Sequence, residues 1–284
     1  MTDDRYSRLA AEHLPGELAE RWTALLRPCV LLRPAEDGEA VAAVLGGEPE
    51  LPAGVGRPEW AGHGPLSFIA AVHCAALPRE GLAEQFPQEG TLLFFYFDGQ
   101  TDGDAFVSHE DPESWAGTQV LYVPQGTPVL PAGTPPELEA YPRVELTADA
   151  EQSAPDLTLP QARKALLGDH REWPHPRETP AELKAFLRAF KRLRGHIGHQ
   201  VGGHALPIQN PVEYDVSCTD LDDPRRWGDP VHDEQAQRWV PLAQFDSDDD
   251  ADMTWGDEGA LYWLIRPEDL AARRFDRARL TVQC

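Results

Sequence analysis

The chain has 284 residues, of which 41% are hydrophobic, and a formal net charge of −23 from 48 acidic and 25 basic residues. The hydrophobic content is enough for a packed core, and the length suits one large β-rich domain or two small ones. The negative charge repels nucleic-acid phosphates and anionic lipid, so it argues against nucleic-acid or membrane-surface binding and favours basic partners.

Membrane insertion and secretion are not expected from this sequence. It has no 18-residue apolar stretch, and its first residues are polar and acidic, unlike a signal peptide. The cysteines form no CxxC pair, which argues against a zinc site and a redox motif: Cys29, Cys74, Cys218 and Cys284. We therefore expect a reduced, cytoplasmic protein.

In the first part of the chain the pattern predicts one helix followed by strands. Apolar residues recur at helical spacing over residues 6–27, and Pro28 ends the helix. Strands are predicted at residues 29–32, near 41–45, 66–73 and 91–97, and at 120–123. Residues 124–160 hold eight of the 27 prolines. We interpret them as a connection between a first half (28–123) and a second half (161–284) of a single domain, 1–284.

In the second half the clearest element is a helix at 180–195. Pro180 follows Thr179, and Glu182 lies three residues after that threonine, as in a capping box. Shorter helices are predicted at 160–167 and 267–274, and strands at 239–245 and 260–265.

The chain repeats one pattern in the same order. Gly46-Gly47 precedes an apolar strand and then an aromatic strand that begins after Gly90. Gly202-Gly203 precedes a second apolar strand and a second aromatic strand, which begins after Gly259. Such self-similarity predicts a duplicated structural unit. The predicted fold class is α+β and β-rich, with duplicated antiparallel β units.

Several motifs carry a family resemblance. In the first half they are Leu45-Gly46-Gly47-x-Pro49-x-Leu51-Pro52, Pro65-Leu66-x-Phe68-Ile69-Ala70 and Gly90-x-Leu92-x-Phe94-Phe95. In the second half they are His199-Gln200-Val201-Gly202-Gly203, Leu242-Ala243-Gln244-Phe245-Asp246 and Trp255-Gly256-Asp257-x-Gly259. With these motifs the chain resembles the YwqG-like family, a group of bacterial proteins of unknown function. The resemblance implies a YwqG-like roll of duplicated sheet units and brings no catalytic residues.

One departure from the family pattern directs attention to the second half. The family usually reads Phe-Ile-Ala-Gln-Ile-Asp in the first unit, whereas this chain has Ala71 and His73 at the polar positions. The second unit keeps Gln244 and Asp246. If this pattern carries a polar function, only the second half has retained it.

An acidic segment follows Gln244. Asp246, Asp248 and Asp250 alternate there, and oxygen ligands of this kind suit Ca²⁺ or Mg²⁺. An EF-hand would require glycine where Ala251 stands. The alternative is an acidic hairpin loop in which Asp246 accepts backbone N–H bonds. No cofactor is predicted apart from this weakly indicated divalent cation.

A histidine cluster surrounds the second Gly-Gly pair. His196, His199 and His204 lie within nine residues, and neutral imidazoles can hold a metal, but this spacing matches no HExxH motif. The alternative is a helix end and a turn. The candidate ligand-binding residues all lie in the second half: His199, Gln200, His204, Gln209, Gln244, Asp246, Trp255 and Asp257.

No coherent catalytic set stands out, because the sequence has no Gly-x-Ser-x-Gly motif. We therefore predict a non-catalytic binding or interaction protein, for example one that neutralises a basic partner such as a toxin with a cationic active site. One alternative is a metal-assisted enzyme that uses His199, His204 and Asp246, with Gln209 or Gln244 orienting the substrate. The other is a small-ligand-binding protein.

Overall fold

The computed structural model describes residues 4–168, 173–175, 177–194, 198–221 and 230–284. The fold is a mixed, strand-rich α+β structure. The strands are β1 (Arg27–Pro34), β2 (Ala43–Leu45), β3 (Glu50–Pro52), β4 (Glu59–Trp60), β5 (Gly64–Pro65), β6 (Ser67–His73), β7 (Thr91–Tyr96), β8 (Thr118–Val123), β9 (Val129–Pro131), β10 (Val144–Ser153), β11 (His199–Val201), β12 (Val240–Asp246), β13 (Ala260–Ile265) and β14 (Arg279–Gln283). The α-helices are α1 (Arg5–His13), α2 (Gly16–Thr23), α3 (Pro160–Leu167), α4 (Ala181–Leu193), α5 (Val212–Ser217), α6 (Pro230–Ala236) and α7 (Pro267–Ala271).

Ten strands form one antiparallel sheet in the order β14-β13-β12-β11-β1-β10-β2-β6-β7-β8. The sheet is nearly closed into a barrel, because its two ends approach each other through side chains. Trp263 Nε1 in β13 donates a hydrogen bond to Thr118 Oγ1 in β8 at 2.9 Å. The rings of Tyr122 and Phe275 also meet across this gap, with centroids 5.5 Å apart. In the described residues β8 and β14 themselves do not pair.

The centre of the sheet joins strands from distant parts of the chain. β1 pairs with β10 over its whole length, from Arg27 opposite Ser153 to Pro34 opposite Leu146. On its other edge β1 pairs with β11, and β10 pairs with β2. On each side of this central pair, four strands then follow in chain order. Each side has an irregular register at its second strand, between Phe68 and Ala70 and between Pro241 and Ala243.

Both sides of the sheet contribute to one hydrophobic core. Phe94 of β7 meets Phe245 of β12 and Trp263 of β13, with ring centroids 5.1 and 5.2 Å apart, and all three side chains are buried. Aromatic pairs of this geometry add about 0.5–1.5 kcal/mol each beyond the burial of their apolar area. The core therefore holds the two sides of the sheet together.

A second, smaller core lies among the helices. Trp22 of α2 is fully buried and packs edge-on against Phe186 and Phe190 of α4, at centroid distances of 5.2 and 5.4 Å. The single helix predicted over residues 6–27 is wrong in one respect: α1 ends at His13 and α2 begins at Gly16. The break lies at Leu14, whose backbone is extended, because the residue before a proline is driven out of the helical region.

The predicted helix near 180–195 is confirmed as α4, but its predicted capping box is not formed. Pro180 occupies the N-cap position, and no side chain caps the helix there. Thr179 Oγ1 instead lies 3.2 Å from the carbonyl oxygen of His175, to which it donates. In the described part of the chain, no helix is both long and apolar enough to cross a bilayer.

The two Gly-Gly turns pass close to the central strands. A Cβ atom on Gly46 would lie 2.3 Å from the carbonyl oxygen of Pro142, just before β10. A Cβ atom on Gly203 would lie 2.5 Å from both Cys29 Cβ of β1 and Ser153 Oγ of β10. Both glycines also have positive φ angles, +57° and +70°, so each turn needs glycine for space as well as for conformation.

Candidate interaction site

The structure places the predicted residue His199 beside the acidic loop. His199 Nδ1 accepts the backbone N–H of Asp246 at 3.2 Å, so the ring proton lies on Nε2, which donates to Asp248 Oδ2 at 3.1 Å. This hydrogen bond is the main reason that the pKa of Asp248 lies below its usual value. His199 therefore ties β11 to the loop that follows β12.

Gln200 and Gln244 hold the chain around the second Gly-Gly pair. Gln200 Nε2 donates to the carbonyl oxygens of Gly202 and His204 at 2.8 and 2.9 Å. Gln244 Nε2 donates to Gly198 O at 2.8 Å, and its Oε1 accepts the N–H of Leu206 at 3.0 Å. Both side chains are buried, so these bonds satisfy backbone groups that water cannot reach.

His204 is directed away from His199. Its Nε2 contacts the carbonyl oxygen of Leu25 at 2.8 Å, and its Nδ1 is buried without a hydrogen-bond partner. Burial, with a smaller contribution from nearby Arg27, lowers the pKa of this imidazole to about 3. The ring is therefore neutral, and it links the second half to the end of the N-terminal helices.

The remaining predicted residues lie around the acidic hairpin. Asp246 Oδ1 accepts the N–H of Ser247 at 3.0 Å, and buried Trp255 donates its Nε1 proton to Asp246 O at 3.3 Å. Asp250 and Asp257 are exposed on the loop. Gln209 lies further along, where its Nε2 donates to Cys284 O at 2.6 Å.

Of the predicted residues, His199, Asp246 and Asp248 come together, whereas His204 and Gln209 lie elsewhere. Across the described residues, no three His, Cys, Asp or Glu side chains are grouped as metal ligands. His196 falls outside the described part of the chain. His199 and Gln200 line a 340 Å³ cleft beside Tyr6 of α1, so a ligand role for them stays a prediction.

A larger depression lies beside the segment between β7 and β8, in the first half of the chain, and we call it the acidic basin. Its volume is about 650 Å³. The residues that line it are Trp60, His63, Asp104, Ala105, Phe106, Ser108, Glu110, Asp111, Glu113 and Ser114. Aromatic rings and carboxylates are thus mixed in one open surface.

The aromatic residues of the basin pack against one another and against the core. The Trp60 and His63 rings lie 4.2 Å apart, and Trp60 packs edge-on against buried Phe97 at 5.2 Å. His63 Nδ1 lies 2.8 Å from Asp102 Oδ2, and this contact is the first cause of the low pKa of that carboxyl. Phe106 is the exception, because 71% of its surface is exposed.

Short hydrogen bonds fix the loop that carries the carboxylates. Asp111 Oδ1 accepts the N–H of Glu113 at 3.0 Å and so caps a turn of 3₁₀ helix over Pro112–Gly117. Buried Ser114 Oγ accepts the N–H of Ser108 at 2.9 Å. The carboxylates of Asp104, Glu110 and Glu113 lie on this ordered loop and are exposed.

The charge around the basin is one-sided. Between Arg79 and Arg143 the sequence has eleven Asp and Glu residues and no Lys or Arg. The basin loop lies in the middle of this stretch. In space Arg279 lies against this loop, with its guanidinium 4.3 Å from the centre of the Trp115 ring. Carboxylates still outnumber bases around the basin, so its field is negative and attracts cations.

Comparison with known proteins places the chain in a family. The family model described as a domain of unknown function (DUF1963) matches residues 43–284. The chain belongs to this family. No curated protein matches the sequence.

The DUF1963 match includes the acidic basin and all the predicted second-half residues, while α1, α2 and β1 precede it. The family description assigns no activity. It supports the resemblance to a family of unknown function, and the YwqG-like name stays a prediction.

The acidic basin was not predicted from the sequence, although a signal for it was present. The aspartates after Asp246 form the stronger local pattern, because alternating carboxylates are typical of cation loops. The stretch without Lys or Arg, with Phe106 among its acids, is a weaker local pattern. Only the fold brings Trp60 and His63 up beside it.

Proposed function

We propose that this DUF1963 protein is a non-catalytic binding protein that recognises a basic segment of a partner protein through the acidic basin. The observation that carries the proposal is the exposed ring of Phe106 among the carboxylates of Asp104, Glu110 and Glu113. An Arg or Lys side chain offers both things that this surface accepts, an apolar stem and a positive head.

Two physical effects support a basic occupant. Carboxylates accept charge-assisted hydrogen bonds from guanidinium groups, which are stronger than neutral ones. A cation over an aromatic face gains about 0.5–1 kcal/mol at exposed sites. The net charge of −23 adds long-range attraction that speeds the encounter with a positive partner.

A binding role agrees with the composition of protein interfaces. Interface centres are enriched in aromatic residues, and Phe106 presents an exposed aromatic ring on an ordered loop. A basic toxin would be one such partner. The unpaired cysteines and the acidic character support a cytoplasmic setting for this function.

The internal similarity also supports this assignment of roles. We infer that the two sides of the sheet are copies of one unit, because their strand order and the positions of their irregular registers correspond. Each copy then provides the same frame, and the loops differ. The basin is built on a loop of the first copy, between β7 and β8.

The proposal is tested with a fluorescently labelled nona-arginine peptide and fluorescence anisotropy. The basin variant carries Asp104→Asn, Glu110→Gln and Glu113→Gln, and leaves the structural Asp111 intact. We expect the variant to bind the peptide about tenfold more weakly, because three exposed charge pairs contribute roughly 0.2–1 kcal/mol each. Phe106→Ala is expected to weaken binding without any change of charge.

The matched control carries Glu20→Gln, Glu234→Gln and Asp249→Asn, which remove the same charge from exposed positions outside the basin. It should bind the peptide nearly as tightly as the wild type. Equal weakening in both triple variants, together with no effect of Phe106→Ala, would show only diffuse attraction to an acidic protein and would refute the proposal.

A further inference from the structure

A second depression lies over strands β2, β6, β7 and β8, and we call it the sheet groove. Its volume is about 520 Å³, within the range of small-molecule sites. Residues of β2, β6, β7 and β8 form its floor, and the β3–β9 ribbon forms the opposite wall. The lining residues are Val44, Glu48, Pro49, Glu50, Phe68, Ala71, His73, Thr91, Leu93, Val123, Val129, Pro131 and Arg143.

Strands β11 to β14 form a surface that corresponds to the sheet groove, and other residues of the chain cover that surface. There Gln200 pairs with Gln244, Gln244 with Tyr262, and Tyr262 with Thr281. These four polar side chains bond the segment that covers them. For example, Tyr262 Oη donates to Leu206 O at 2.9 Å, and Thr281 Oγ1 donates to Asp215 Oδ2 at 3.1 Å.

In the sheet groove the corresponding row is apolar, and Val44, Ala71 and Leu93 are buried at the bottom of the cavity. Val44 pairs with Ala71, Ala71 with Leu93, and Leu93 with Leu121. Here the chain after Gly47 forms β3 of the β3–β9 ribbon, which faces this row across the cavity. The polar row on β11 to β14 bonds to other segments of the chain. The corresponding row on β2, β6 and β7 is apolar and forms the floor of a cavity.

The rim of the sheet groove carries charges of both signs. Arg143, Glu48 and Glu50 line it and are exposed, and Arg143 Nη2 pairs with exposed Glu145 at 2.9 Å, a contact that a bound carboxylate would share or displace. His73 also lines the groove, with Nδ1 3.3 Å from Thr91 Oγ1. Burial lowers the pKa of His73, Arg143 lowers it further and Glu50 opposes the change, so both charges act on the same part of the groove.

From this combination we infer that the sheet groove binds a small zwitterion with an apolar body, the chemistry of an apolar dipeptide. The apolar side chains would lie on Val44, Ala71 and Leu93. The carboxylate would pair with Arg143, which offers a planar fork of donors, and the ammonium would pair with Glu50. The groove shares no residue with the acidic basin, so this inference and the proposed function can fail independently.

Isothermal titration calorimetry with leucyl-phenylalanine tests the inference. From the usual affinity per atom of small ligands, we expect a dissociation constant on the order of 0.1 mM. N-acetyl-leucyl-phenylalanine, which lacks the ammonium, and leucyl-phenylalaninamide, which lacks the carboxylate, should each bind about tenfold more weakly. Ala71→Leu should abolish binding by filling the floor.

Arg143→Gln provides a second variant if Ala71→Leu does not fold. It should weaken binding of the free dipeptide about tenfold but leave the affinity of the amide unchanged. Arg238→Gln, at an exposed position outside the groove, is the matched control and should bind like the wild type. No saturable heat up to about 10 mM dipeptide, a hundred times the expected constant, would overturn the inference. Equal binding of all three peptides, or equal weakening of dipeptide and amide by Arg143→Gln, would also overturn it.

Discussion

Glu213 in α5 is a carboxyl group that the fold keeps from water, with only 7% of its surface exposed. Burial raises its pKa from the usual 4.5 to about 7, although Arg27 acts in the opposite direction. The sequence does not predict the burial of Glu213, because all six residues of α5 are buried, polar ones included, and they show no amphipathic pattern. A buried carboxyl of this kind makes stability depend on pH.

Glu213→Gln is expected to stabilise the protein at high pH relative to the wild type. The folded state holds the Glu213 proton up to about pH 7, while the unfolded state releases it near pH 4.5. The contribution of this group to the free energy of unfolding therefore falls as the pH rises through this window, by about 3 kcal/mol. Urea denaturation at pH 5 and pH 8 should show the variant gaining most of that amount over the wild type between the two pH values.

Glu234→Gln is the control for this experiment, because Glu234 is exposed in α6. Its difference from the wild type should be the same at both pH values. If the difference between Glu213→Gln and the wild type also stays constant with pH, Glu213 is not protonated in the folded protein at pH 5.

At the scale of elements, the Gly46-Gly47 turn shows how β2 is fixed against the strand before it in the sheet. Gly46 has a φ angle of +57°, and an added Cβ would lie 2.3 Å from the carbonyl oxygen of Pro142 and 2.7 Å from that of Tyr141. Because both neighbours are backbone atoms, they cannot move aside as a side chain would.

Gly46→Ala is expected to lower the free energy of unfolding by at least about 3 kcal/mol, since it adds a backbone clash to the cost of a positive φ angle. Gly54→Ala is the matched control. Gly54 also has a positive φ angle, +84°, but has nothing within 4 Å of an added Cβ. It should lose only about 1–2 kcal/mol. Similar midpoints for the two variants in urea would contradict the close approach at Gly46.

The pattern of the sequence predicts the elements well where one segment carries its own signal. The apolar run at residues 67–73 and the helical stripe of α4 are such cases, and both elements are confirmed. β10 is different: its ten residues include Glu145, Asp149 and Glu151, and only its first residues alternate clearly. Its strand form depends on pairing with β1 and β2, which no local pattern reveals.

The candidate site could be predicted only in part, for a related reason. The sequence indicates the polar second-half residues, and the structure shows what Gln200 and Gln244 bond to. It does not indicate that the corresponding residues of the first half, Val44 and Ala71, lie beneath a cavity. The polarity of a residue can be read from the sequence. Whether another segment bonds to that residue depends on the path of the chain in the fold.

At the scale of the whole molecule, the excess of negative charge acts against the folded state. With a net charge of −23, like charges repel across a compact surface. Salt screens this repulsion, because the Debye length falls from about 30 Å at 0.01 M to about 10 Å at 0.1 M.

The melting temperature is therefore expected to rise by several degrees when NaCl is raised from about 0.01 M to about 0.5 M at neutral pH. Differential scanning fluorimetry measures this directly. The same salt series near the sequence pI of about 4.7 is the control, since the net charge there is close to zero and the rise should vanish. A rise of equal size at both pH values would show that salt acts through something other than charge repulsion.

The pairing of β1 with β10 and β11 at the centre of the sheet has a consequence for folding during synthesis. β1 ends at Pro34, but its partners β10 and β11 begin at Val144 and His199. During synthesis, β1 leaves the ribosome more than a hundred residues before either partner, and it must stay unpaired until they arrive. Long-range pairing of this kind folds slowly and exposes strand edges while it waits. The middle of the sheet can therefore be completed only after β11 is synthesised, later than the β2-β6-β7-β8 side.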